Sequence, residues 1–122
     1  MKKILIIEDE KILSEMYQFK LEKEGYETMN AMYVDEAIEI ANKNNPDLVI
    51  LDILLPKESG INYLVKSKKF DNIKNIPVLV ISNFDDNETK EKCFELGIRD
   101  YLIKSNYDPK EVVCRIKKIL ES

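Results

Sequence analysis

The sequence predicts an α/β fold in which a central parallel sheet is covered by helices on both faces. Short apolar segments alternate with longer segments whose apolar residues recur at helical spacing. Residues 4–7 and 48–51 contain only apolar side chains, which is typical of strands buried on both faces. Four apolar segments also end in a polar residue, and the carboxyl ends of parallel strands form the edge where ligands bind.

The first half of the chain predicts three strands and two helices. After the strand at residues 4–7, the helix at residues 11–23 ends before Gly25, and its broad apolar side consists of Ile12, Leu13, Met16, Tyr17, Phe19 and Leu21. Residues 26–31 alternate like an exposed edge strand. The second helix presents Val34, Ala37, Ile38 and Ala41 and is closed by Asn44-Asn45-Pro46. The third strand, residues 48–51, belongs beside the first in the centre of the sheet.

The second half predicts two strands and three helices. The third helix is expected over residues 60–70, with Ile61, Leu64 and Val65 as its core contacts. Pro77 opens the fourth strand, and Asp85 or Asp86 can cap a fourth helix that runs to Leu96. The last helix has the clearest start signal, with Asp108 as N-cap, Pro109 at the first helical position and Glu111 three residues after the cap. Its apolar residues Val112, Val113, Ile116, Ile119 and Leu120 predict core packing.

Length and charge narrow the function. The 122 residues fall in the size range of one domain, so we expect a single domain over residues 1–122, with no room for an output domain. A net charge of −4 provides no basic excess to neutralise phosphates, which argues against nucleic-acid binding. No apolar stretch approaches the ~20 residues needed to cross a bilayer, and no signal peptide follows Met1. We therefore expect a cytoplasmic protein that binds no membrane.

The cysteines and the absence of histidine exclude two kinds of site. Cys93 and Cys114 lack CxxC spacing and the sequence has no histidine, so a zinc finger or a Cys/His nucleophile lacks its parts. We expect Cys93 to fill a small core space on its helix and Cys114 to lie off the apolar stripe of the last helix.

Five polar residues at predicted strand ends form the candidate site. Glu8 and Asp9 follow the first strand, Asp52 follows the third, Ser82 ends the fourth and Lys104 ends the fifth. Three acids that meet at one edge would repel one another strongly unless a cation joined them, and oxygen ligands of this kind suit Mg²⁺. Acids, a hydroxyl and an ammonium together indicate a site that handles phosphate.

In this order, these residues resemble the receiver domain of two-component response regulators, and the resemblance covers essentially the whole chain. It implies a flavodoxin-like (βα)5 three-layer sandwich with parallel strand order 2-1-3-4-5. The matching segments are Ile7-Glu8-Asp9-Glu10, Leu51-Asp52-Ile53-Leu54-Leu55-Pro56 with Gly60, Val80-Ile81-Ser82, and Asp100-Tyr101-Leu102-Ile103-Lys104.

The resemblance assigns the metal site and the phosphoacceptor. Asp52 is the expected nucleophile, which would form an aspartyl phosphate. The expected cofactor is Mg²⁺, with Mn²⁺ as a substitute, and its implied protein ligands are Glu8, Asp9, Asp52 and the backbone carbonyl of Leu54. Such a domain catalyses only its own phosphorylation and dephosphorylation, so no metabolite is turned over.

The resemblance also assigns the residues that would respond to the phosphate. Ser82 would donate its hydroxyl to a phosphate oxygen, Lys104 would supply positive charge, and Tyr101 would act as an aromatic switch that turns inward. Two positions depart from the family pattern. Ser105 stands where most receivers have a proline in a cis peptide, and Asn83 stands where a small residue is usual.

The resemblance implies a histidine kinase or a phosphotransfer protein as the partner. The phosphohistidine would belong to that partner, because this chain has no histidine of its own. The implied output is a downstream protein target or a weak homodimer, bound through the fourth helix, the fifth strand and the fifth helix. A phosphorylation-independent interaction module with the same fold remains an alternative. A flavodoxin-like cofactor binder or α/β enzyme is disfavoured, because no glycine-rich phosphate loop follows the first strand.

Overall fold

A five-stranded parallel sheet forms the centre of the structure, a computed structural model in which residues 1–121 are described. The order β2-β1-β3-β4-β5 confirms the predicted strand order and fold class. The strands are β1 (Lys3–Ile7), β2 (Glu27–Ala31), β3 (Leu48–Leu51), β4 (Val78–Ser82) and β5 (Asp100–Ile103).

Helices pack on both faces of this sheet and complete the three layers. They are α1 (Lys11–Lys23), α2 (Val34–Asn44), α3 (Ile61–Ser67), α4 (Asn87–Glu95) and α5 (Pro109–Glu121), with a short 3₁₀ turn over Lys104–Asn106. One apolar cluster joins the sheet to α2, α3 and α4, and includes Cys93, which is buried as expected. The second cluster joins the other face to α1 and α5, while Cys114 is exposed.

The helix ends follow the sequence signals closely. Asp86, rather than Asp85, caps α4 by accepting the Thr89 N–H over 3.0 Å. At the start of α5, the Glu111 N–H donates to Asp108 over 2.9 Å and the Asp108 N–H donates to Glu111 over 3.1 Å. This reciprocal pair is the capping box that the sequence predicts.

Three of the predicted core contacts are wrong. Ile12 is 86% exposed and Phe19 is 60% exposed, because the buried face of α1 consists of Ser14, Tyr17 and Leu21. Val65 is 41% exposed, because α3 turns Tyr63, Leu64 and Ser67 toward the sheet. The α3 helix also ends at Ser67 instead of continuing to Phe70.

The register of the sheet sets the positions of the polar residues. Ile7 pairs with Leu51, so the residues that follow them, Glu8 and Asp52, leave β1 and β3 at the same level. The Asp52 N–H extends this ladder by donating to the Ile7 carbonyl over 3.0 Å. Ser82 pairs with Ile103, the residue before Lys104. The carboxyl edge of the sheet therefore carries the whole candidate site.

None of the helices within residues 1–121 combines the length and apolar character needed to span a bilayer.

Candidate functional site

Three carboxylates meet at the carboxyl edge of β1 and β3. Glu8, Asp9 and Asp52 each place an oxygen within 4.8 Å of the other two. Glu8 and Asp52 are buried, and Asp9 is partly exposed. An open pocket of about 220 Å³ lies above them, and its wall consists of Asp9, Glu10, Asp52, Leu54, Asn83 and Lys104.

Lys104 joins two of these acids. Its Nζ donates to Oδ2 of Asp52 and to Oε1 of Glu8, each over 2.7 Å. Glu10 lies farther away, at 3.5 Å. The sequence predicts Lys104 at the end of the fifth strand, at the same edge as the acids, but nothing in it indicates the contact with Glu8. One ammonium thus supplies positive charge to two buried carboxylates.

The same contacts govern the protonation states. Burial opposes the charged form of Lys104, but the hydrogen bonds to Asp52 and Glu8 outweigh it and raise the pKa of the ammonium. Burial raises the pKa of Glu8, and the hydrogen bond from Lys104 only partly opposes that rise. The negative charge of Asp52 raises the pKa of Glu8 further. Lys104 therefore stays protonated at neutral pH.

The donor set fits a hard divalent cation. Three carboxylates and one ammonium leave two formal negative charges unbalanced, and all of the acidic ligand atoms are oxygens. The open pocket leaves room for the water molecules that Mg²⁺ normally retains. Leu54 lines this pocket, and its N–H donates to Oδ1 of Asp52 over 3.1 Å. When bound, Mg²⁺ would neutralise charge on the acids and on an incoming phosphate.

Gly60 fixes the backbone that follows Asp52. A Cβ atom at this position would lie 2.1 Å from the carbonyl oxygen of Asp52 and 2.9 Å from Cα of Ile53. The Gly60 N–H donates to the Ile53 carbonyl over 2.8 Å. The loop after β3 therefore requires a residue without a side chain here. In the sequence, Gly60 is only one element of the family pattern, and nothing in it shows this close approach.

Phe84 connects Ser82 to Tyr101. Ser82 is fully buried at the end of β4, and its hydroxyl accepts the Phe84 N–H over 3.2 Å. The hydroxyl of Tyr101 donates to the Phe84 carbonyl, and the ring of Tyr101 is 8% exposed. Burial raises the pKa of Tyr101 to about 12, so the hydroxyl remains a donor at neutral pH.

The position of Tyr101 bears on its expected switch role. The family resemblance implies that this ring turns inward after phosphorylation. Here it is already buried while Lys104 contacts the unmodified Asp52. The inward position is therefore compatible with an unmodified carboxylate, and the switch role remains a prediction.

The two departures from the family pattern are in contact. Oδ1 of Asn83 accepts the Ser105 N–H over 3.0 Å. Within residues 1–121 every peptide bond is trans, including the bond between Lys104 and Ser105. In the sequence the two residues are separate departures from the family pattern, 22 positions apart, and the contact between them is not visible. Their unusual identities were the only available signal.

The basic residues of α5 do not all lie on one surface. Arg115 contacts Asp100 of β5 over 2.8 Å, as expected for the surface made by α4, β5 and α5. Lys117 instead forms an ion pair with Glu24, the C-cap residue of α1. Lys110 and Lys117 both line a groove of about 320 Å³ beside α1. Lys110 and Lys117 thus lie on the side of α5 that faces α1, whereas Arg115 lies on the side that faces β5.

Comparisons with known proteins identify the class of domain that this fold and site define. The sequence model of the response regulator receiver domain matches residues 4–117. The chain is 35% identical over 119 residues to the phosphate regulon transcriptional regulatory protein PhoB of Escherichia coli (strain K12), an alignment that covers 98% of this chain and 52% of PhoB. It is 36% identical over 119 residues to the alkaline phosphatase synthesis transcriptional regulatory protein PhoP of Bacillus subtilis (strain 168), with 98% of this chain and 48% of PhoP covered.

Solved structures give the same result. A response regulator from Chloroflexus aurantiacus J-10-fl matches with a TM-score of 0.87 and 34% identity, over 99% of this chain and 98% of that one. The non-phosphorylated HemR receiver domain from Leptospira biflexa matches with a TM-score of 0.91 and 27% identity, over 100% of this chain and 96% of that one. The chain belongs to the response regulator receiver domain family. It spans about half the length of the curated relatives it matches.

Proposed function

We propose that this receiver domain is a phosphorylation-dependent switch with Asp52 as its phosphoacceptor. The contact that carries this proposal is the 2.7 Å hydrogen bond from Lys104 to Oδ2 of Asp52, beside the oxygens of Glu8 and Asp9. A carboxylate in this setting is open to the pocket on one side and adjoins a fixed positive charge on the other. Phosphoryl transfer depends mainly on such positioning and charge neutralisation.

The reaction starts from a phosphohistidine on a partner histidine kinase or phosphotransfer protein. An oxygen of Asp52 forms a bond to phosphorus as the bond from phosphorus to the histidine nitrogen breaks, and the histidine leaves with the electron pair of that bond. Glu8, Asp9, Asp52 and the Leu54 carbonyl would hold Mg²⁺ in the pocket. The Lys104 ammonium then transfers its hydrogen bond from the Asp52 carboxylate to the phosphoryl oxygens, which carry the new negative charge. Ser82 donates its hydroxyl to one of these oxygens.

The response reaches the surface through Phe84. Because Ser82 accepts the N–H of Phe84 and Tyr101 donates to its carbonyl, a movement of the Ser82 hydroxyl toward phosphate alters both bonds. Tyr101 lies on β5, between α4 and α5. The proposed output surface therefore comprises α4, β5 and α5, and it would bind a downstream protein or form a weak homodimer.

A constitutive interaction module is the second candidate. The observation that favours it is the burial of Tyr101 beside an unmodified Asp52. In that case the output surface would bind its partner equally well with and without phosphate. Partner binding by wild type and by Asp52→Asn, each with and without a phosphodonor, separates the two functions.

The primary test is the mass of the intact protein after incubation with acetyl phosphate and Mg²⁺. We expect one added phosphoryl group in wild type and none in Asp52→Asn. Asp71→Asn is the matched control, because Asp71 is exposed and pairs only with Lys74 among residues 1–121. It should be labelled like wild type. Labelling of Asp52→Asn at the wild-type level would refute Asp52 as the acceptor.

A further inference from the structure

A hydrogen bond between Asn83 and Ser105 joins the two loops that follow Ser82 and Lys104. The Ser105 N–H donates to Oδ1 of Asn83 over 3.0 Å, between residues 22 positions apart. Asn83 directly follows Ser82, and Ser105 directly follows Lys104. Asn83 also lines the pocket above Asp52. The bond therefore spans two loops at the mouth of the candidate site.

This bond holds the peptide unit through which Lys104 enters its turn. The N–H of Ser105 lies in the same rigid plane as the carbonyl of Lys104. An acceptor for that N–H consequently sets the orientation of the whole unit. The 3₁₀ turn over Lys104–Asn106 begins here, and its own bond from the Tyr107 N–H to the Lys104 carbonyl is long, at 3.4 Å. Of the two hydrogen bonds made by this peptide unit, the one to Asn83 is the shorter.

The orientation of this unit matters because Lys104 has a long side chain. Four carbon atoms joined by rotatable bonds separate its backbone from the ammonium that contacts Asp52 and Glu8. If the backbone of Lys104 rotates, the ammonium can retain its hydrogen bonds to the two acids only if the side chain adopts another rotamer. Catalytic groups are sensitive to such changes, since a misplacement of about 1 Å can cost roughly a hundredfold in rate.

We propose that Asn83 is a positioning residue for phosphoryl transfer to Asp52, acting through the Ser105 N–H on the turn that carries Lys104. This inference rests on the proposed function of Asp52. It also explains why the two departures from the family pattern occur together in this chain. A proline at position 105 would have no N–H to donate to Asn83. The contact therefore needs both the amide oxygen of Asn83 and the backbone N–H of Ser105.

The test is the rate of phosphorylation by acetyl phosphate in the presence of Mg²⁺, measured for wild type and three single variants. Asn83→Ala should lower the rate at saturating donor by about fivefold to tenfold, the effect of one lost hydrogen bond. Ser105→Pro removes the same N–H and also restricts the backbone of Lys104, so its rate should fall at least as far. Ser105→Ala is the matched control, because it keeps the N–H and should leave the rate unchanged.

Two further readouts separate positioning from a general loss of structure. The dissociation constant for Mg²⁺ should stay within about twofold of wild type, because Glu8, Asp9 and Asp52 are unaltered. The Asn83→Ala/Ser105→Pro double variant should be no slower than Ser105→Pro alone, because the proline already removes the contact that Asn83 makes. In wild type, the Ser105 amide proton should exchange slowly with solvent, and Asn83→Ala should abolish that protection even if Ser105→Pro fails to fold.

Several outcomes would overturn this role. They are an unchanged rate in Asn83→Ala, an equal loss in Ser105→Ala, additive losses in the double variant, or a Ser105 amide that exchanges equally fast in wild type and in Asn83→Ala. A phosphorylated wild type with an unaffected Asn83→Ala overturns the role of Asn83 alone. A wild type that takes up no phosphoryl group refutes the proposed function of Asp52, and the role of Asn83 with it.

Discussion

The ammonium of Lys104 lies 2.7 Å from Oδ2 of Asp52, although 52 positions separate the two residues in the chain. The parallel sheet makes this contact possible by ending β3 and β5 at the same edge. In the unmodified domain the contact stabilises a buried carboxylate. After phosphoryl transfer, the same ammonium would face a group with more negative charge and more acceptor oxygens. The contact thus differs between the two states, as a switch requires.

Lys104→Ala should separate phosphorylation from the response to it. The nucleophile remains, so labelling by acetyl phosphate continues at a reduced rate, but the contact that differs between states is lost. Without Mg²⁺ the variant should also lose roughly 3 kcal/mol of unfolding free energy, because Glu8 and Asp52 remain buried without the ammonium. NMR chemical shifts near Tyr101 and urea unfolding measure the two effects. Lys43→Ala, on the exposed surface of α2, is the control. Shift changes near Tyr101 as large as those of wild type would contradict the prediction.

Gly60→Ala should disrupt the site through the backbone. The added Cβ would overlap the Asp52 carbonyl, so the loop after β3 must move. We expect a loss of about 3 kcal/mol in urea unfolding, at the upper end of ordinary point mutations, together with slower labelling of Asp52. Gly25→Ala is a useful comparison, because its φ of +92° is strained for alanine but a Cβ there would meet no atom within 4 Å. Gly25→Ala should lower the unfolding free energy by about 1 kcal/mol and leave the labelling of Asp52 intact. Equal effects of the two changes would argue against a local clash.

The phosphoryl group should be long-lived. Leu54 and Phe84 lie two residues beyond Asp52 and Ser82, and neither side chain can orient a hydrolytic water by hydrogen bonding. Leu54 lines the pocket above Asp52, and both residues are exposed apolar side chains that can exclude water from the phosphoryl group. Leu54→Asn should shorten the half-life of the phosphorylated protein, followed by intact mass after removal of the donor. A wild-type half-life of seconds that the substitution leaves unchanged would refute this account.

Two tyrosine hydroxyls should have opposite effects on stability. The hydroxyl of Tyr63 is buried without a hydrogen-bond partner among residues 1–121, and burial raises its pKa. Tyr63→Phe should therefore be neutral, or stabilise the domain by up to about 1 kcal/mol. Tyr101→Phe removes the bond to the Phe84 carbonyl and should cost about 1 kcal/mol. Thermal unfolding measures both changes. A clear loss of stability in Tyr63→Phe would show that a partner, such as a buried water, satisfies its hydroxyl.

Charge reversal should locate the output surface. Lys92 on α4 and Lys118 on α5 are exposed, and Lys118 lies one helical turn beyond Arg115, which contacts β5. Lys92→Glu combined with Lys118→Glu should weaken any phosphorylation-dependent association by about tenfold while labelling stays normal. Lys117→Glu is the control, because Lys117 pairs with Glu24 beside α1. Light scattering or partner binding gives the measurement. An association that is weakened by Lys117→Glu and unchanged by Lys92→Glu combined with Lys118→Glu would place the output surface beside α1.

The fold could be predicted from sequence because its signals are local. Apolar strands, helix caps such as Asp108 and glycines after helices each act within a few residues. The errors arose where several apolar residues shared one helix. Ile12, Phe19 and Val65 are apolar, but the face turned to the sheet is fixed by contacts with distant strands. The identities of the site residues could be predicted from their places at strand ends. Their contacts could not, because the pairs Lys104–Glu8 and Ser105–Asn83 depend on distances across the sheet.

The central claim is that Asp52 carries the phosphoryl group, and locating the modified residue tests it most directly. Borohydride reduces an acyl phosphate and converts the modified aspartate to homoserine, which peptide mass spectrometry identifies by position. After treatment with acetyl phosphate and Mg²⁺, we expect homoserine at position 52 in wild type, and no homoserine when Mg²⁺ is removed by a chelator. Homoserine at another aspartate, or none in a protein that remains folded and binds Mg²⁺, would contradict the account.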